Sequence, residues 1–467
     1  MPVNILNFIK EQKNIWRFLK SEMQKFSGKP ALVFGELTIS YSELINIVEA
    51  DNMPGTDKVI LAAADNKFNQ AVMILKALKN GKICVPVNAD YGDIYLNRIK
   101  TELDKYSDEI NNDNETALIM FTSGSTGAPK GVCLTHDNII SNITAIVKYF
   151  KIDDNDSILI SRPLMHAAVL TGEFFISLYK GLTIHLYPEA FNPLRLIKYI
   201  NENSITTFCG TPTLFNLICR SLRGEDCLPL KNIAVSGEIL TPKIARAMIV
   251  KFPDARIYSV YGLTEASPRV SYLPPHKFEE RICFVGKPIN GVSMKLLDSE
   301  NREVSDAGEG RLYINSRGIM KGYLGNPELT ARKIKDGWLD TGDIAYRDSE
   351  GYYYILGRAD NMLIRGGMNI YPEEIERTLT EDEKIEKVLC YGEPDELLGL
   401  VICVKVVTKE DEKYVREIIK QKLPEFMRPG RVKIVSELEL TESGKVKRQY
   451  TGGGAPRQDS RRYAVAE

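Results

Sequence analysis

Histidine is scarce: the chain of 467 residues has four, none in an H-x-x-x-H spacing, so a histidine-held zinc centre is not expected. The eight cysteines (84, 133, 209, 219, 227, 283, 390 and 403) form no C-x-x-C pair. Most lie in apolar runs such as Gly399-Leu-Val-Ile-Cys-Val404, which reads as reduced core thiols rather than a metal knuckle or a disulfide frame. Neither sign of charge dominates, with 61 Lys plus Arg against 62 Asp plus Glu, so no overall field draws the chain to nucleic acid or an anionic surface. No window approaches the roughly 18 apolar residues of a membrane span. The opening MPVNILNFIKEQKNIWRFLK also lacks the apolar core of a signal segment, so a cytoplasmic protein with a small-molecule ligand is the expectation.

The length exceeds what one hydrophobic core usually organises, so at least two domains are expected. Lys58-Val-Ile-Leu-Ala-Ala-Ala64, a helical Asn69–Lys79 stopped by Gly81, and Ile83-Cys-Val-Pro-Val87 make a β-α-β unit. Similar alternation recurs at Leu182–Tyr187, at Thr206–Cys209 with an apolar helix Leu214–Cys219, at Ile233–Val235 and at Arg256–Val260. From about residue 290 turn-punctuated strands take over. After Gly357-Arg-Ala-Asp360 a compact segment follows: a helix at Pro372–Arg377, strands at Lys387–Tyr391 and Leu400–Val406, and a helix through Glu417–Lys422. The expected fold is therefore α/β: a large N-terminal domain (1–358) of layered α/β subdomains plus a β-rich subdomain, and a small mobile α+β C-terminal domain (359–450). Residues 451–467, with Gly452-Gly-Gly-Ala-Pro-Arg-Gln-Asp-Ser-Arg-Arg462, read as a disordered tail.

The densest chemistry lies in Phe121-Thr-Ser-Gly-Ser-Thr-Gly-Ala-Pro-Lys-Gly131, where glycines, four hydroxyls and a lysine can converge on phosphate. Its spacing approaches the Walker pattern, but Pro129 has no N–H to give and Gly131 no hydroxyl for magnesium. A Ser/Gly linker fits poorly, because a strand-like Thr116–Phe121 precedes the run and a helix-like Asp137–Val147 follows it. The run reads as a glycine loop between strand and helix.

Four further segments follow in order: Tyr261-Gly-Leu-Thr-Glu265, Gly337-Trp-Leu-Asp-Thr-Gly-Asp343, Gly357-Arg-Ala-Asp360 with Ile364-Arg-Gly-Gly-Met-Asn-Ile-Tyr-Pro-Glu-Glu-Ile375, and Ser443-Gly-Lys445. Together the five resemble the adenylate-forming superfamily of acyl-CoA synthetases, nonribosomal adenylation domains and luciferases, most closely AMP-forming acyl- or aryl-CoA ligases. The resemblance implies ATP and Mg²⁺ as cofactors and a small-molecule carboxylic acid as substrate. It implies that Ser123, Gly124, Ser125, Thr126, Gly127 and Lys130 hold the β- and γ-phosphates, with Thr122 also among the ATP-binding residues and Thr126 and Glu265 at the metal. Tyr261 packs along the adenine, Gly262 is among the ATP-binding residues, Thr264 reaches the α-phosphate, and Asp343 with Arg358 binds the ribose. Lys445 is the catalytic cation, Asp360 the hinge, and Gly366 with Gly367 the thiol channel.

The resemblance also places an acid pocket at His166, Ala167, Thr211, Phe215 and Gly237, with His166 beside the reacting carboxylate. Amino-acid-activating relatives carry an aspartate just beyond that histidine, where Ala167 and Ala168 stand here. An acid without an α-amino group is therefore expected, although Glu173 could still pair an amine. The thiol is expected from CoA. The alternatives are the phosphopantetheine arm of an acyl carrier protein, or, in another class, a catalytically inactive nucleotide-binding regulator.

Overall fold

The computed structural model describes residues 14–50, 53, 57–88, 92–122, 130–223, 228–365, 368–395 and 399–439. The chain divides into two compact units, Met1–Ile355 and Leu356–Glu467.

In the first unit nine strands form one sheet. Their spatial order is Lys287–Pro288, Arg269–Leu273, Arg256–Gly262, Asn232–Val235, Thr207–Gly210, Ser157–Ile160, Thr183–Leu186, Pro30–Phe34 and Leu37–Ser40. The six strands from Arg256–Gly262 to Pro30–Phe34 are parallel and the outer ones antiparallel. Parallel strands covered on both faces should be apolar on both, and Ser157–Ile160 shows why: Ile158 and Ile160 enter one hydrophobic core while Leu159 enters the other. From its neighbourhood the chain leaves in opposite directions. One connection runs through helical residues 167–180 to Thr183–Leu186, and the other carries Thr207–Gly210 through helix Pro212–Ser221 to Asn232–Val235. Such a reversal opens a crevice at the carboxyl ends of the strands, the usual ligand position in an open α/β sheet.

A second sheet runs Gly322–Tyr323, Lys130–Thr135, Thr116–Thr122, Ile83–Pro86 and Val59–Ala62. Its β-α-β unit forms as the sequence predicts: Val59–Ala62 and Ile83–Pro86 are parallel, joined by helix Lys67–Lys79, with Gly81 beyond its end at φ +64°. The glycine loop does not lead into a helix, however. Lys130–Thr135 pairs antiparallel with Thr116–Thr122, from Thr116↔Thr135 to Thr122↔Lys130 with a register shift between Thr116 and Leu118, so the glycine-rich run connects two antiparallel strands. Lys130-Gly-Val-Cys-Leu-Thr135 is apolar enough to be buried through its middle. The helix His136–Tyr149 starts only after it, at a Thr135–Asn138 capping box. A third, antiparallel sheet contains Val292–Leu297, Gly308–Ser316, Trp338–Arg347 and Ile334–Lys335, matching the turn-punctuated texture after residue 290.

The second unit is α+β. Ile385–Asp395 pairs antiparallel with Gly399–Thr408, and Gly399–Thr408 pairs parallel with Arg431–Val435 across helix Glu412–Lys422. Ile375 and Leu379 of helix Pro372–Leu379 pack with Val404, Val406, Val415 and Ile419 in a separate core. Among the described residues no helix is long and apolar enough to cross a membrane, and the seven described cysteines are free and buried.

Candidate active site

Strand Arg256–Gly262 delivers the central residues at its carboxyl end. Tyr261 donates its hydroxyl to a carboxylate oxygen of Asp343, which is buried on strand Trp338–Arg347. Asp340, the other acid of Trp-Leu-Asp-Thr-Gly-Asp, is differently used: Arg311 grips both its oxygens at 2.8 Å and Lys333 adds a contact at 3.2 Å. Burial raises the Asp340 carboxyl, but the Arg311 hydrogen bond and the two cations outweigh it and leave the group below its usual range. One aspartate therefore ties the sheet together, while the other stands against a phenol at the strand end.

Gly262 has no room for a side chain, since a Cβ there would lie 2.0 Å from the carbonyl oxygen of Pro268. The glycine permits the bulge at which Arg256–Gly262 and Arg269–Leu273 shift register. The chain then turns through a 3₁₀ helix, Thr264–Ala266, which carries Thr264 and Glu265. The Glu265 backbone oxygen accepts from Met320 N at 2.8 Å, and its Oε1 accepts from the Tyr323 hydroxyl at 2.9 Å. Tyr323 also pairs with Val132 of strand Lys130–Thr135, in which Lys130 is opposite Thr122. One short ladder thus connects that strand pair to the Glu265 carboxylate. Ser123, Gly124, Ser125, Thr126 and Gly127 lie outside the described residues, as do Gly366, Gly367 and Lys445.

Sequence reasoning missed Tyr323, and it missed Asn142. The Asn142 amide, buried on helix His136–Tyr149, donates to the carbonyl oxygens of Ala266 (3.3 Å) and Arg269 (2.9 Å) and accepts from Arg269 N at 3.2 Å. It clamps both sides of the Glu265 turn. A lone asparagine amid Ile139, Ile143 and Ile146 was the available signal. Asn142→Ala is expected to destabilise the protein by roughly 1–3 kcal/mol, read by urea titration, because three buried backbone groups lose a partner.

Of the expected acid-pocket residues, Thr211 and Gly237 lie beside one another, while His166 and Ala167 begin the helical stretch that follows strand Ser157–Ile160. His166 is half-buried at the N-cap of the turn Ala167–Val169, and Ala167 is buried behind it. Thr211 caps helix Pro212–Ser221 by accepting from Leu214 N at 3.3 Å, and a Cβ at Gly237 would meet its methyl at 3.7 Å. Phe215 is fully buried among Phe208 and Phe252, so its ring belongs to the second core. Glu173 is already engaged by a cation: its Oε1 accepts from Arg162 within a π-helical stretch, Leu170–Phe175.

In the second unit Arg358 lies 3.9 Å from the Asp360 carboxylate, and Asp360 sits in an exposed turn, Ala359–Asn361. The adjoining Asn361 donates to Glu373 at 2.6 Å.

A match to the family described as AMP-binding enzyme spans residues 55–324, more than half of the chain, and its C-terminal domain matches residues 374–445. The chain belongs to the AMP-binding enzymes. It is 31% identical to a feruloyl-CoA synthase of an Amycolatopsis species over 71% of this chain and 68% of that protein. A long-chain-fatty-acid–CoA ligase of Bacillus subtilis is 32% identical over 73% of this chain and 62% of its own length. A solved structure of o-succinylbenzoate coenzyme A synthetase from Bacillus subtilis, in complex with ATP and magnesium ion, superposes with TM-score 0.81 at 21% identity, covering 92% of this chain and 98% of that one. For an AMP-binding enzyme the local donor set is apt. Among the described residues no group of three or more His, Cys, Asp or Glu converges, so a cation at Glu265 would complete its shell from phosphate oxygens and water, as Mg²⁺ commonly does.

Proposed function

We propose that this AMP-binding enzyme joins a carboxylic acid to AMP and then passes the acyl group to CoA. A carboxylate oxygen attacks the α-phosphorus of ATP and the bond to pyrophosphate breaks. The thiol sulfur then attacks the acyl carbon, and AMP leaves with the electron pair of its bond to the acyl group. The observation that carries the reading is that strand Arg256–Gly262 ends with Tyr261 held to the Asp343 carboxylate and then leads into the turn that carries Glu265, whose partner is Tyr323. Asp343 against Tyr261 offers an anionic acceptor for ribose hydroxyls, and Glu265, set by Tyr323, offers a hard oxygen for Mg²⁺. Bound there, Mg²⁺ would neutralise phosphate charge. Thr264, Lys130, Thr122 and the loop 123–127 are assigned to the phosphates, Arg358 to the ribose and Lys445 to the charge developing between the two reactants.

The acid is read as lacking an α-amino group, since Ala167 and Ala168 offer no charge and Arg162 holds Glu173. CoA is read as the thiol because the two curated relatives share it in their names while differing in the acid. Rotation of domain 359–450 about Asp360 is read as serving the two half-reactions in turn, with Gly366 and Gly367 beside the pantetheine. The free, buried cysteines suit the cytoplasm, where thiols stay reduced. The test is pyrophosphate exchange across aryl, fatty, dicarboxylic and amino acids, followed by AMP release with CoA or a phosphopantetheinylated carrier protein. Exchange followed by CoA-dependent release is expected. No exchange with any acid overturns the ligase reading in favour of a regulator, and release with the carrier protein alone overturns CoA.

A further inference from the structure

Two buried residues, Glu173 and Arg269, and the half-buried Arg162 lie where the sheet opens. Arg162 lies just past the carboxyl end of strand Ser157–Ile160, and Glu173 lies in the π-helical stretch that follows His166 and Ala167. Arg269 opens strand Arg269–Leu273 directly opposite Gly262. Glu173 is 0% and Arg269 3% exposed. A Cβ on Gly172 would lie 2.9 Å from Nε and Nη2 of Arg269, so the guanidinium rests against the π-helical backbone at that glycine. Cys209, two residues before Thr211, is near enough to feel Glu173, which raises its thiol, and Arg269 and Arg162, which lower it. Thr211 and Ala167, expected in the acid pocket, lie on the chain segments next to Cys209 and Glu173.

The cluster is unbalanced. Arg162 donates to Glu173 through Nη2, leaving its own Nε and the second glutamate oxygen without hydrogen bonds. Among the described residues Arg269 makes no side-chain hydrogen bond or ion pair, and its buried Nε is unpartnered. The neighbouring Tyr149 phenol and Cys209 thiol are pushed up to about 12, chiefly by burial, so neither supplies negative charge. Burial raises the Glu173 carboxyl, and Arg162 and Arg269 only partly counter it. Even with Glu173 fully ionised, two guanidiniums face one carboxylate. A buried cation with no partner is costly, and a guanidinium has donors arranged for two parallel bonds to a carboxylate. The π-helical stretch, a conformation concentrated at functional sites, brings residue 172 close to that guanidinium.

We propose that Arg269 is a specificity-determining residue and that the acid activated here carries a second carboxylate, which Arg269 receives. The inference rests on the ligase reading and adds the substrate class to it. The Arg162–Glu173 pair positions the guanidinium and keeps amines out, and Gly172 makes the space.

The full chain is assayed by pyrophosphate exchange with matched acids, hexanoate against adipate and 3-phenylpropanoate against its para-carboxylated analogue. The dicarboxylates are expected to show the higher kcat/KM. Arg269→Gln is expected to lower kcat/KM for them by roughly 10²-fold or more, mainly through KM, while monocarboxylates are unchanged or improved. Arg269→Lys should restore part of the preference. Gly172→Ala, which presses a methyl onto the guanidinium without removing it, should weaken the same preference, so the test survives if Arg269→Gln fails to fold. Monocarboxylates preferred by the unaltered protein, or equal loss for both acids in Arg269→Gln, overturns the inference and leaves the ligase standing. Absence of exchange with every acid overturns the ligase reading, and the inference with it.

Discussion

Glu265→Gln is expected to lower kcat/KM for acid-dependent pyrophosphate exchange by about 10²–10³-fold, roughly 3–4 kcal/mol of transition-state stabilisation. Glutamine keeps the shape and can still accept from the Tyr323 hydroxyl, so the turn Thr264–Ala266 and its contact to Met320 should persist. What disappears is the negative charge. If Glu265 holds Mg²⁺, the loss should shrink as free Mg²⁺ is raised, and the midpoint of thermal unfolding without nucleotide should barely move. Tyr323→Phe provides the control, since it removes only the hydrogen bond that orients Oε1 and should cost far less. A Glu265→Gln protein with ordinary activity at limiting Mg²⁺ would remove the metal role.

Lys445→Ala is expected to reduce acyl-adenylate formation by a similar factor, about 10²–10³-fold, while sparing the second half-reaction. The amine is assigned to charge that builds between the acid and the α-phosphate, and that charge is absent once the mixed anhydride exists. Supplying preformed acyl-adenylate and CoA should therefore give near-normal AMP release from the variant. Equal loss in both halves would mean that Lys445 acts on folding or on AMP binding instead. ATP affinity, measured by calorimetry, should change little, because the loop 122–130 and Asp343 are assigned most of the nucleotide contacts.

How much of this was legible in the sequence depends on how far apart the interacting residues lie. The β-α-β unit around Lys67–Lys79 follows from local periodicity and a glycine stop, and it formed with nearly the expected bounds. Strand Thr116–Thr122 is legible, but its partner Lys130–Thr135 is not, because it is short and is chosen by antiparallel pairing, which periodicity alone does not reveal. Tyr323 and Asn142 escaped for a related reason. Tyr323 meets Glu265 across 58 residues of chain, and Asn142 reaches Arg269 across 127, so only the folded sheets bring them together. The Arg162–Glu173–Arg269 cluster is the sharpest case. Glu173 reads as a reserve partner for a substrate amine until the fold puts Arg162 against it.

Gly262 carries a lesson for descendants of this chain. Its neighbour across the bulge, the Pro268 carbonyl, forbids any larger residue whether or not nucleotide is bound. Selection for folding alone will keep that glycine in a lineage that has lost its chemistry, whereas Glu265 would be released to drift. A relative retaining Tyr-Gly-Leu-Thr but lacking the following acid is therefore the expected signature of a gene that has kept the scaffold and abandoned the reaction.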